Sequence, residues 1–514
     1  MSAQTASKKR SYDVIVVGAG HNGLVAATYL AKAGKKVLVL DRRDHAGGQL
    51  APLAFDDGFR FDALHAGGQL RPDIVRELGL ADHGLAKAQG AAPAYVSLLP
   101  DGRKLQLSVA PGDDATLQSI RQFSDADALR WPEFVAFMNR AAAFLDAAYR
   151  TPMPRLPHVG LAEGWPLAKL AWMLRRLGGR DMFRVIRSMS MSTVEFTEEW
   201  FESEELKAAI AAVGIHGHTL GSMSAGTGYT LMHNWLNRGG LAHRPVVGGS
   251  VRIAEALVAA LTNNGGELRT SAGVHHIVVD RQRATGVVLD SGEEIQASAV
   301  FSTADPRHTL LDLVGAPELP PEFAWHTRSI KMRGAVAKVH LLTDGKHGLP
   351  VATLAVAPTL KYLERAFDAA KYGEVSAQPY LEATANHDVV SIHFQFAPYA
   401  LRRQDWSSAR ATVEQLAVDT LAAHFPALKA SILQVRSLTP VDLEKTFGLT
   451  EGDPNHGQLI LDQMFFMRPM PGWSDHRTPI DGLHLCGSGV HGGGGISGAS
   501  GRNAARAFLK TKSA

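Results

Sequence analysis

A strand, a glycine turn, a helix and a second strand follow one another within the first 41 residues and constrain the fold of this chain. Residues 12–17 form a short apolar run typical of a strand buried on both faces. Residues 24–31 predict a helix that ends at Gly34, and residues 36–40 predict a second strand that ends at Asp41. This order predicts a βαβ unit that binds a dinucleotide.

The turn after the first strand reads GAGHNG and fits the fingerprint G-x-G-x-x-G. Its first glycine permits the tight turn, the second lets backbone approach a pyrophosphate, and the third lets helix and strand pack closely. The unpaired N–H groups at the start of the helix attract phosphate. An acid at the end of the second strand accepts hydrogen bonds from ribose hydroxyls, which favours FAD or NAD over NADP. We therefore predict a cofactor site that contains Gly18, Ala19, Gly20, Asn22, Gly23 and Asp41.

A second glycine pair, Gly47 and Gly48, follows the ribose acid and allows the chain to pass close to a nucleotide, which favours FAD over NAD. The run 41–49, DRRDHAGGQ, resembles the R-x-G-G-R element of the amine oxidase and phytoene desaturase flavoproteins. The resemblance implies that Arg42, Gly47, Gly48 and Gln49 contact FAD. Gln49 stands where those families often have arginine.

A second hexamer, GSGVHG at residues 487–492, also fits G-x-G-x-x-G. The residues after it have room for one helix but not for a second strand, and they contain no Asp or Glu to hold a ribose. A separate nicotinamide site is therefore not predicted. We interpret the hexamer as a glycine turn that faces the flavin end of the same FAD.

The C-terminal segment closely resembles the flavin motif of phytoene dehydrogenase-like proteins, within the carotenoid desaturase and amine oxidase superfamily. The similarity covers GLHLCGSG at 482–489, GRNAA at 501–505 and STADP at 302–306, and is highest for the group of pyridine nucleotide-disulfide oxidoreductase domain-containing protein 2. It implies that the backbone near Val274 meets the adenine. It also implies that the flavin is contacted by Gly487, Val490, His491, Gly494, Gly495 and Ile496.

We predict an α/β fold with a discontinuous Rossmann-type FAD-binding domain, similar to that of glutathione reductase, and an inserted α+β substrate domain. The FAD-binding domain is expected to comprise residues 1–120, 240–325 and 475–514. Residues 121–239, which show helical periodicity, and residues 326–474, which contain strand patterns, are expected to form the substrate domain.

Composition excludes several other classes of protein. A net charge of +3 gives no basic face of the kind that nucleic-acid binding needs. One cysteine, Cys486, excludes an internal disulfide, a dithiol redox pair and a multi-cysteine metal site, and it fits a reducing compartment. The first residues lack the apolar stretch of a signal peptide, and no apolar run is long enough to span a membrane. We expect a cytoplasmic protein, and the oligomeric state stays open.

No catalytic constellation stands out, which suits an enzyme whose cofactor carries the hydride chemistry. Two histidines separated by one residue, His216 and His218, are too few to predict a metal site, and no metal is expected. The candidates for the side of the flavin at which substrate reacts are His65, His216, His218, Tyr229, His233 and His491, of which His65, Tyr229, His233 and His491 are the catalytic candidates.

The segment 165–177, WPLAKLAWMLRRL, is basic, apolar and rich in tryptophan. It has two interpretations. An interfacial helix would give peripheral membrane contact and a path for a lipophilic substrate. A helix that packs into the substrate domain with its arginines in water has the same composition.

The resemblance implies an FAD-dependent oxidoreductase, similar to phytoene dehydrogenase. Such an enzyme would remove hydride from a C–H bond of an apolar small molecule, as in carotenoid-like desaturation. The expected electron acceptor is oxygen or a quinone. Two alternatives stay open: a flavin oxidase of an amine, alcohol or lipid, and a flavin-containing scaffold protein without catalysis.

Overall fold

The computed structural model describes residues 11–65, 67–86, 93–110, 112–153 and 161–511, so residues 1–10, where no signal peptide is expected, lie outside it. The strands are β1 (Ser11–Val17), β2 (Val37–Leu40), β3 (Pro52–Ala54), β4 (Arg60–Asp62), β5 (Tyr95–Leu98), β6 (Lys104–Leu107), β7 (Glu267–Arg269), β8 (Val274–Asp280), β9 (Arg283–Leu289), β10 (Glu294–Ser302), β11 (Val336–Thr343), β12 (Thr353–Val356), β13 (Leu381–Ala385), β14 (Val389–Gln395), β15 (Ile432–Leu438) and β16 (Leu483–Leu485). The helices are α1 (His21–Lys32), α2 (Pro72–Glu77), α3 (Asp114–Arg121), α4 (Asp125–Arg150), α5 (Leu161–Arg176), α6 (Gly179–Ser188), α7 (Thr193–Glu198), α8 (Glu204–Ile215), α9 (Thr227–Arg238), α10 (Val251–Asn263), α11 (Pro321–Arg328), α12 (Leu360–Lys371), α13 (Trp406–Ala422), α14 (Leu428–Ser431), α15 (Pro440–Phe447) and α16 (Ala499–Thr511).

The first sheet is built around β1, which pairs in parallel with β2 on one side and with β10 on the other. β7 extends the parallel order beyond β2, and β16 pairs in parallel with the C-terminal part of β10. β8, β9 and β10 form an antiparallel meander at the opposite edge. The predicted α/β fold class of Rossmann type is confirmed. The carboxyl ends of the parallel strands meet at one edge, where open α/β sheets bind their ligands.

Three helices cover one face of the first sheet because each presents an apolar side to it. Leu24 of α1, Leu257 of α10 and Ala504 of α16 pack in one buried cluster with Val14 and Val16 of β1. α1 is therefore enclosed by the sheet and by the two flanking helices, which explains why its apolar residues surround it rather than forming a single stripe. The helix–turn unit predicted at the N-terminus is held rigidly at the strand ends.

Gly23 lies where α1 crosses the sheet, and a Cβ atom there would be 2.4 Å from the carbonyl oxygen of Gly18 and 2.5 Å from Cγ2 of Thr303. We expect Gly23→Ala to lower the free energy of unfolding by about 1–3 kcal/mol, because backbone must shift to accept the methyl group. Urea denaturation checks this. In the control Gly164→Ala, in the first turn of α5, nothing lies within 4 Å of the added methyl group, so we expect no loss of stability and a gain of up to about 0.5–1 kcal/mol for an alanine in a helix. Equal stability of wild type and Gly23→Ala would contradict the packing argument.

The second sheet has the strand order β15–β11–β14–β13–β12–β5–β6. Its pairs are antiparallel except β12 with β5. One face packs on α13, where Val413 and Leu421 join a buried cluster with Val339 and Phe394 of the sheet. α4, α8 and α9 belong to a separate apolar cluster that also contains Tyr95 of β5. The helical interpretation of the segment 121–239 agrees with α4 to α9.

The predicted boundary at residue 120 differs from this arrangement. β5 and β6 fall within the segment 1–120 that was assigned to the FAD-binding domain, yet they belong to the second sheet. The register places Tyr95 beside Thr353 and Ser97 beside Ala355. β5 pairs with the adjacent β6, but β12, which joins this hairpin to the rest of the sheet, comes much later in the chain. The local sequence of β5 therefore carries no signal of its sheet.

α5 and α6 expose large apolar side chains. The exposed fractions are 75% for Trp165, 56% for Trp172 and 65% for Phe183. Arg176 lies over the ring of Trp172 at 4.7 Å. Within the described ranges, no helix combines the length and the hydrophobicity that crossing a bilayer requires.

Candidate functional site

A cavity of about 420 Å³ lies at the carboxyl ends of β1, β2 and β10. We call it the strand-end cavity. It brings together residues from both ends of the chain and from the middle, including Thr303 and Ala304 just after β10. The predicted cofactor-binding residues that line it are Gly18, Gly20, Asn22, Asp41, Arg42, Gly48, Gln49, Val274 and Gly487.

Asp41 is fixed at the end of β2 by backbone donors. One carboxylate oxygen accepts the N–H of Ala19 at 2.8 Å, and the other accepts the N–H of Arg43 at 3.0 Å. The N–H of Gly47 donates to the carbonyl of Ala19 at 2.9 Å, so both predicted glycine elements meet at this turn. Asp41 is only 6% exposed, yet it lines the cavity, and its carboxylate still has lone pairs that can accept hydrogen bonds from ligand hydroxyls.

The start of α1 has the features that a dinucleotide needs. Its N-cap is Gly20, which supplies no side-chain cap, and its first turn has no acidic residue. The free N–H groups and the positive end of the helix are therefore available for phosphate oxygens. A Cβ atom on Gly48 would lie 2.8 Å from the Cα of Gly20, so only glycine permits this approach of the two loops. The Nε2 atom of His21 and the Oδ1 atom of Asn22 are buried on this wall without a partner among the described residues. These residues fit FAD.

The two glycine hexamers meet around one cavity. Nδ2 of Asn22 donates to the hydroxyl of Ser488 at 3.2 Å, across 466 residues of sequence. Thr303 lies between the turns: a Cβ atom on Gly18 would be 2.2 Å from its Oγ1, and one on Gly487 would be 2.3 Å from its carbonyl oxygen. This geometry matches the interpretation that both hexamers serve one nucleotide.

Sequence reasoning missed one wall of the strand-end cavity. Three of its residues lie between β15 and β16 in sequence: Glu444 and Phe447 of α15, and His456. The fourth is His308, in the π-helix His308–Gly315. These residues have no common motif or spacing, so only the tertiary structure brings them to the cofactor side.

A second cavity, of about 130 Å³, adjoins the first, and both are lined by Gln49 and Ser488. We call it the histidine cavity. The predicted candidates His65, His216, His218 and His233 line it, and so do the predicted cofactor residues Gly495 and Ile496. Its walls also contain residues that the sequence did not indicate: Arg238, His243, Lys338 and His393.

Glu382 of β13 lies behind this cavity and is 2% exposed. One of its oxygens accepts hydrogen bonds from Nη1 of Arg238 at 3.2 Å and from the hydroxyl of Tyr380 at 3.0 Å. The other lies 2.6 Å from Nε2 of His243. Burial raises the pKa of Glu382, but Arg238, His216 and His243 lower it more, so the pKa lies well below its usual range. Glu382 is therefore a buried carboxylate that balances Arg238.

Three possible metal ligands occur in this cluster. The ligand atoms of His216, His243 and Glu382 lie within 4.8 Å of one another. Nη1 of Arg238 lies 3.1 Å from the same carboxylate oxygen that faces His243. The guanidinium places a permanent positive charge beside the position that a metal ion would take, which opposes metal binding.

His65 contacts Gln49, one of the two residues that line both cavities. Its Nε2 lies 3.0 Å from Oε1 of Gln49, whose Nε2 donates to the carbonyl of Pro454 at 2.8 Å. Because the amide nitrogen of Gln49 is the donor to Pro454, its oxygen accepts, and His65 carries its proton on Nε2. Burial lowers the pKa of His65 to about 3, so the ring is neutral near pH 7. It can orient Gln49 but is a weak base.

Tyr229 lies behind the wall that His233 forms. The hydroxyls of Tyr229 and Tyr149 are 2.7 Å apart, and the hydroxyl of Tyr149 is also 2.7 Å from Nδ1 of His233. Nε2 of His233 is 2.9 Å from Nδ2 of Asn237. Burial raises the pKa of Tyr229 to about 12 and lowers that of His233 well below its usual value. This network holds His233 in place with both ring nitrogens engaged.

His491 lines neither cavity. It is fully buried, and its Nε2 lies 3.2 Å from the carbonyl of Ala148 and 3.0 Å from that of Thr151, at the end of α4. Burial lowers the pKa of His491 to about 4. Gly494 is packed against the ring of His233. The other predicted cofactor residues absent from both cavity walls are Ala19, Gly23, Gly47 and Val490.

Fold and cavity define the chain as an α/β flavoprotein of the dinucleotide-binding type. The sequence profile of the flavin containing amine oxidoreductase family matches residues 23–509, and the chain belongs to this family. FAD is the cofactor, and the chain is an FAD-dependent oxidoreductase, as predicted.

The similarity to known relatives and solved structures covers nearly the whole chain. Pyridine nucleotide-disulfide oxidoreductase domain-containing protein 2 of Rattus norvegicus is 32% identical, over 98% of this chain and 94% of that protein. The lycopene-forming phytoene desaturase of a Paracoccus species is 26% identical, over 95% of both chains. The crystal structure of an oxidoreductase from Methanosarcina mazei has a TM-score of 0.60 at 17% identity and covers 98% of this chain and 100% of its own, which shows the fold.

Proposed function

We propose that this chain removes hydride from a C–H bond of a small substrate held in the histidine cavity, next to FAD bound in the strand-end cavity. Bound FAD supplies the hydride acceptor. The observation that carries the proposal is that Gln49 and Ser488 line both cavities, so a ligand in one is adjacent to a ligand in the other.

The proposed roles of the cofactor residues follow from the chemistry of the wall. The carboxylate of Asp41 accepts hydrogen bonds from ribose hydroxyls, and the start of α1 binds the pyrophosphate. Val274 lies at the adenine end. Gly487 and Ser488 face the flavin end, beside the histidine cavity.

Two substrate classes compete. Relatives named phytoene desaturases support the apolar, carotenoid-like substrate that the resemblance implies. The histidine cavity favours the smaller alternative, because its volume of about 130 Å³ is below the roughly 300 Å³ at which pockets for drug-sized ligands begin. We favour the smaller substrate and keep desaturation as the second candidate. Oxygen or a quinone stays the predicted electron acceptor, and peripheral membrane contact through α5 stays a prediction.

Anaerobic reduction of the purified protein tests the proposal. We expect flavin absorbance in the purified protein, its loss when alcohols, amines or fatty acids are supplied without oxygen, and its return on mixing with oxygen or a quinone. A protein without flavin absorbance even after addition of FAD would refute the proposal. A bound flavin that no donor reduces would favour the scaffold alternative.

A further inference from the structure

Charge is unevenly distributed around the histidine cavity. Its cationic side chains are Arg238 and Lys338, and the buried carboxylate beside it is Glu382. Glu382 and Arg238 form an ion pair at 3.1 Å. The ammonium of Lys338 forms no ion pair among the described residues, although the charge of Glu382 acts on it from a longer distance. Arg238 and Lys338 therefore share one carboxylate, and one positive charge at the cavity is in excess.

One hydrogen-bond donor at the same wall also has no acceptor among the described residues. Nη2 of Arg238 is buried and has no acceptor in the described part of the chain. Arg238 is only 6% exposed, and a guanidinium nitrogen can act only as a donor. A buried donor of this kind costs free energy unless a ligand satisfies it. The wall of the cavity thus contains a guanidinium with one unsatisfied N–H donor and an ammonium that forms no ion pair among the described residues.

We propose that the histidine cavity recognises a carboxylate group of the substrate, with Arg238 and Lys338 as its cationic contacts. This inference rests on the proposed function and specifies the chemical class of its substrate. A carboxylate supplies the missing counterion and the missing acceptor together. It also accounts for the presence of two cationic side chains in the wall of one small cavity.

The competing substrate chemistries fit less well. A substrate ammonium needs an anionic partner, but the carboxylate of Glu382 is already surrounded by Arg238, His243 and the hydroxyl of Tyr380. An added ammonium would meet the uncompensated charge of Lys338 instead. An apolar polyene would leave the ammonium of Lys338 desolvated without an ion pair and Nη2 of Arg238 without an acceptor, which is costly.

Binding of three matched compounds tests the inference: hexanoate, hexanamide and hexylamine. Each is titrated into the FAD-loaded protein, with flavin absorbance differences and the melting temperature as readouts. We expect hexanoate to bind at least about tenfold more tightly than hexanamide, since hydrogen bonds to charged groups are the strong ones. Equal binding of hexanoate and hexanamide, tighter binding of hexylamine, or no response to hexanoate would overturn the proposal.

A charge-removing variant identifies the contact. In Lys338→Gln, we expect hexanoate to bind about tenfold more weakly while hexanamide binding stays unchanged. The matched control is Lys346→Gln, which removes an exposed lysine just beyond β11 and should leave both affinities unchanged. A Lys338→Gln protein that keeps the full preference for hexanoate would exclude Lys338 as a contact.

Dependence on pH gives an independent readout. Burial lowers the pKa of Lys338 to about 8, so its charge is lost on going from about pH 7 to about pH 9. Hexanoate affinity of the wild type should fall over that range, and that of Lys338→Gln should stay flat. The histidines around Lys338 stay neutral in this range, because burial lowers the pKa of each below its usual value: His65, His243, His340 and His393. The ion pair between Arg238 and Glu382 persists there. Asp62 also lines a small cavity with Lys338; burial raises the pKa of this carboxyl group, and Ser250 donates hydrogen bonds to it.

Failure of this inference can be distinguished from failure of the proposed function. A protein that binds no FAD contradicts the proposed function itself. A protein whose bound flavin is reduced by a neutral donor, and which shows no preference for hexanoate, keeps the function and loses the carboxylate site.

Discussion

Replacing Glu382 with alanine is expected to lower the free energy of unfolding by about 3–5 kcal/mol, since it leaves Arg238 as an uncompensated buried charge. Arg238 is 6% exposed, and Glu382 is its carboxylate partner. Urea denaturation of the apoprotein measures the loss without a contribution from bound cofactor. Glu382→Gln keeps the shape of the side chain and one acceptor oxygen, so its free energy of unfolding should lie between those of the wild type and Glu382→Ala.

A surface ion pair serves as the control. Oε1 of Glu374 lies 3.5 Å from Nε of Arg403, and the side chains are 44% and 77% exposed. Glu374→Ala should change the free energy of unfolding by less than about 1 kcal/mol, because water and salt screen such pairs. If Glu382→Ala proves no more destabilising than Glu374→Ala, Arg238 is not held by this carboxylate.

The sign of the pH dependence follows from the direction of the pKa shift. The pKa of Glu382 is held well below its usual range in the folded chain. Its contribution to stability is therefore fully present above the unfolded pKa, and it is lost as the pH falls through the folded pKa. The stability difference between wild type and Glu382→Ala should be constant near neutral pH and shrink in strong acid.

Replacing Asp41 with alanine is expected to weaken FAD binding by about 100-fold or more, because two hydrogen bonds to a charged acceptor contribute about 1.5–3 kcal/mol each. The variant also frees the N–H groups of Ala19 and Arg43, which the carboxylate holds at 2.8 and 3.0 Å. Titration of apoprotein with FAD, followed by flavin fluorescence, gives the ratio of dissociation constants.

Two further variants separate charge from folding. Asp41→Asn keeps one oxygen acceptor and should retain more affinity than Asp41→Ala. Asp44→Ala removes a carboxylate three residues away whose side chain is 84% exposed, and FAD affinity should be unchanged. Wild-type FAD affinity in Asp41→Ala would show that the ribose role belongs to another residue.

The N-terminal βαβ unit could be predicted because all its determinants lie close together in sequence. β1, α1 and β2 fall at the predicted positions, and Asp41 accepts a hydrogen bond from the N–H of Ala19 in the glycine turn after β1. The periodicity of buried strands and the glycine spacing are local signals, and tertiary packing reinforces them here.

The histidine cavity could be predicted only in part. His65, His216 and His233 drew attention as polar side chains, but Arg238 and Lys338 each occur in ordinary patterns, at the end of α9 and inside β11. Nothing in the local sequence signals that a helix end and a strand interior line the same cavity. Charge balance inside a cavity is a property of the tertiary structure.

A resemblance predicts backbone more securely than side-chain direction. The C-terminal glycine turn reaches the strand-end cavity through Gly487. Four residues later, Nε2 of His491 faces the carbonyls at the end of α4, and contact of this residue with the flavin stays a prediction. The motif identifies the loop, but the neighbours of the loop decide where a side chain goes.

Thr303 joins the first and last glycine turns, and this contact limits when the protein can acquire its cofactor during synthesis. A ribosome makes β1, α1 and β2 at the start of translation, hundreds of residues before Gly487 and Ser488. Until those residues emerge, one wall of the strand-end cavity is missing, and such non-local contacts form late. The complete FAD site therefore exists only after residue 488 has been added to the chain. A nascent chain that ends before residue 487 has the N-terminal glycine turn but lacks the wall that Gly487 and Ser488 form.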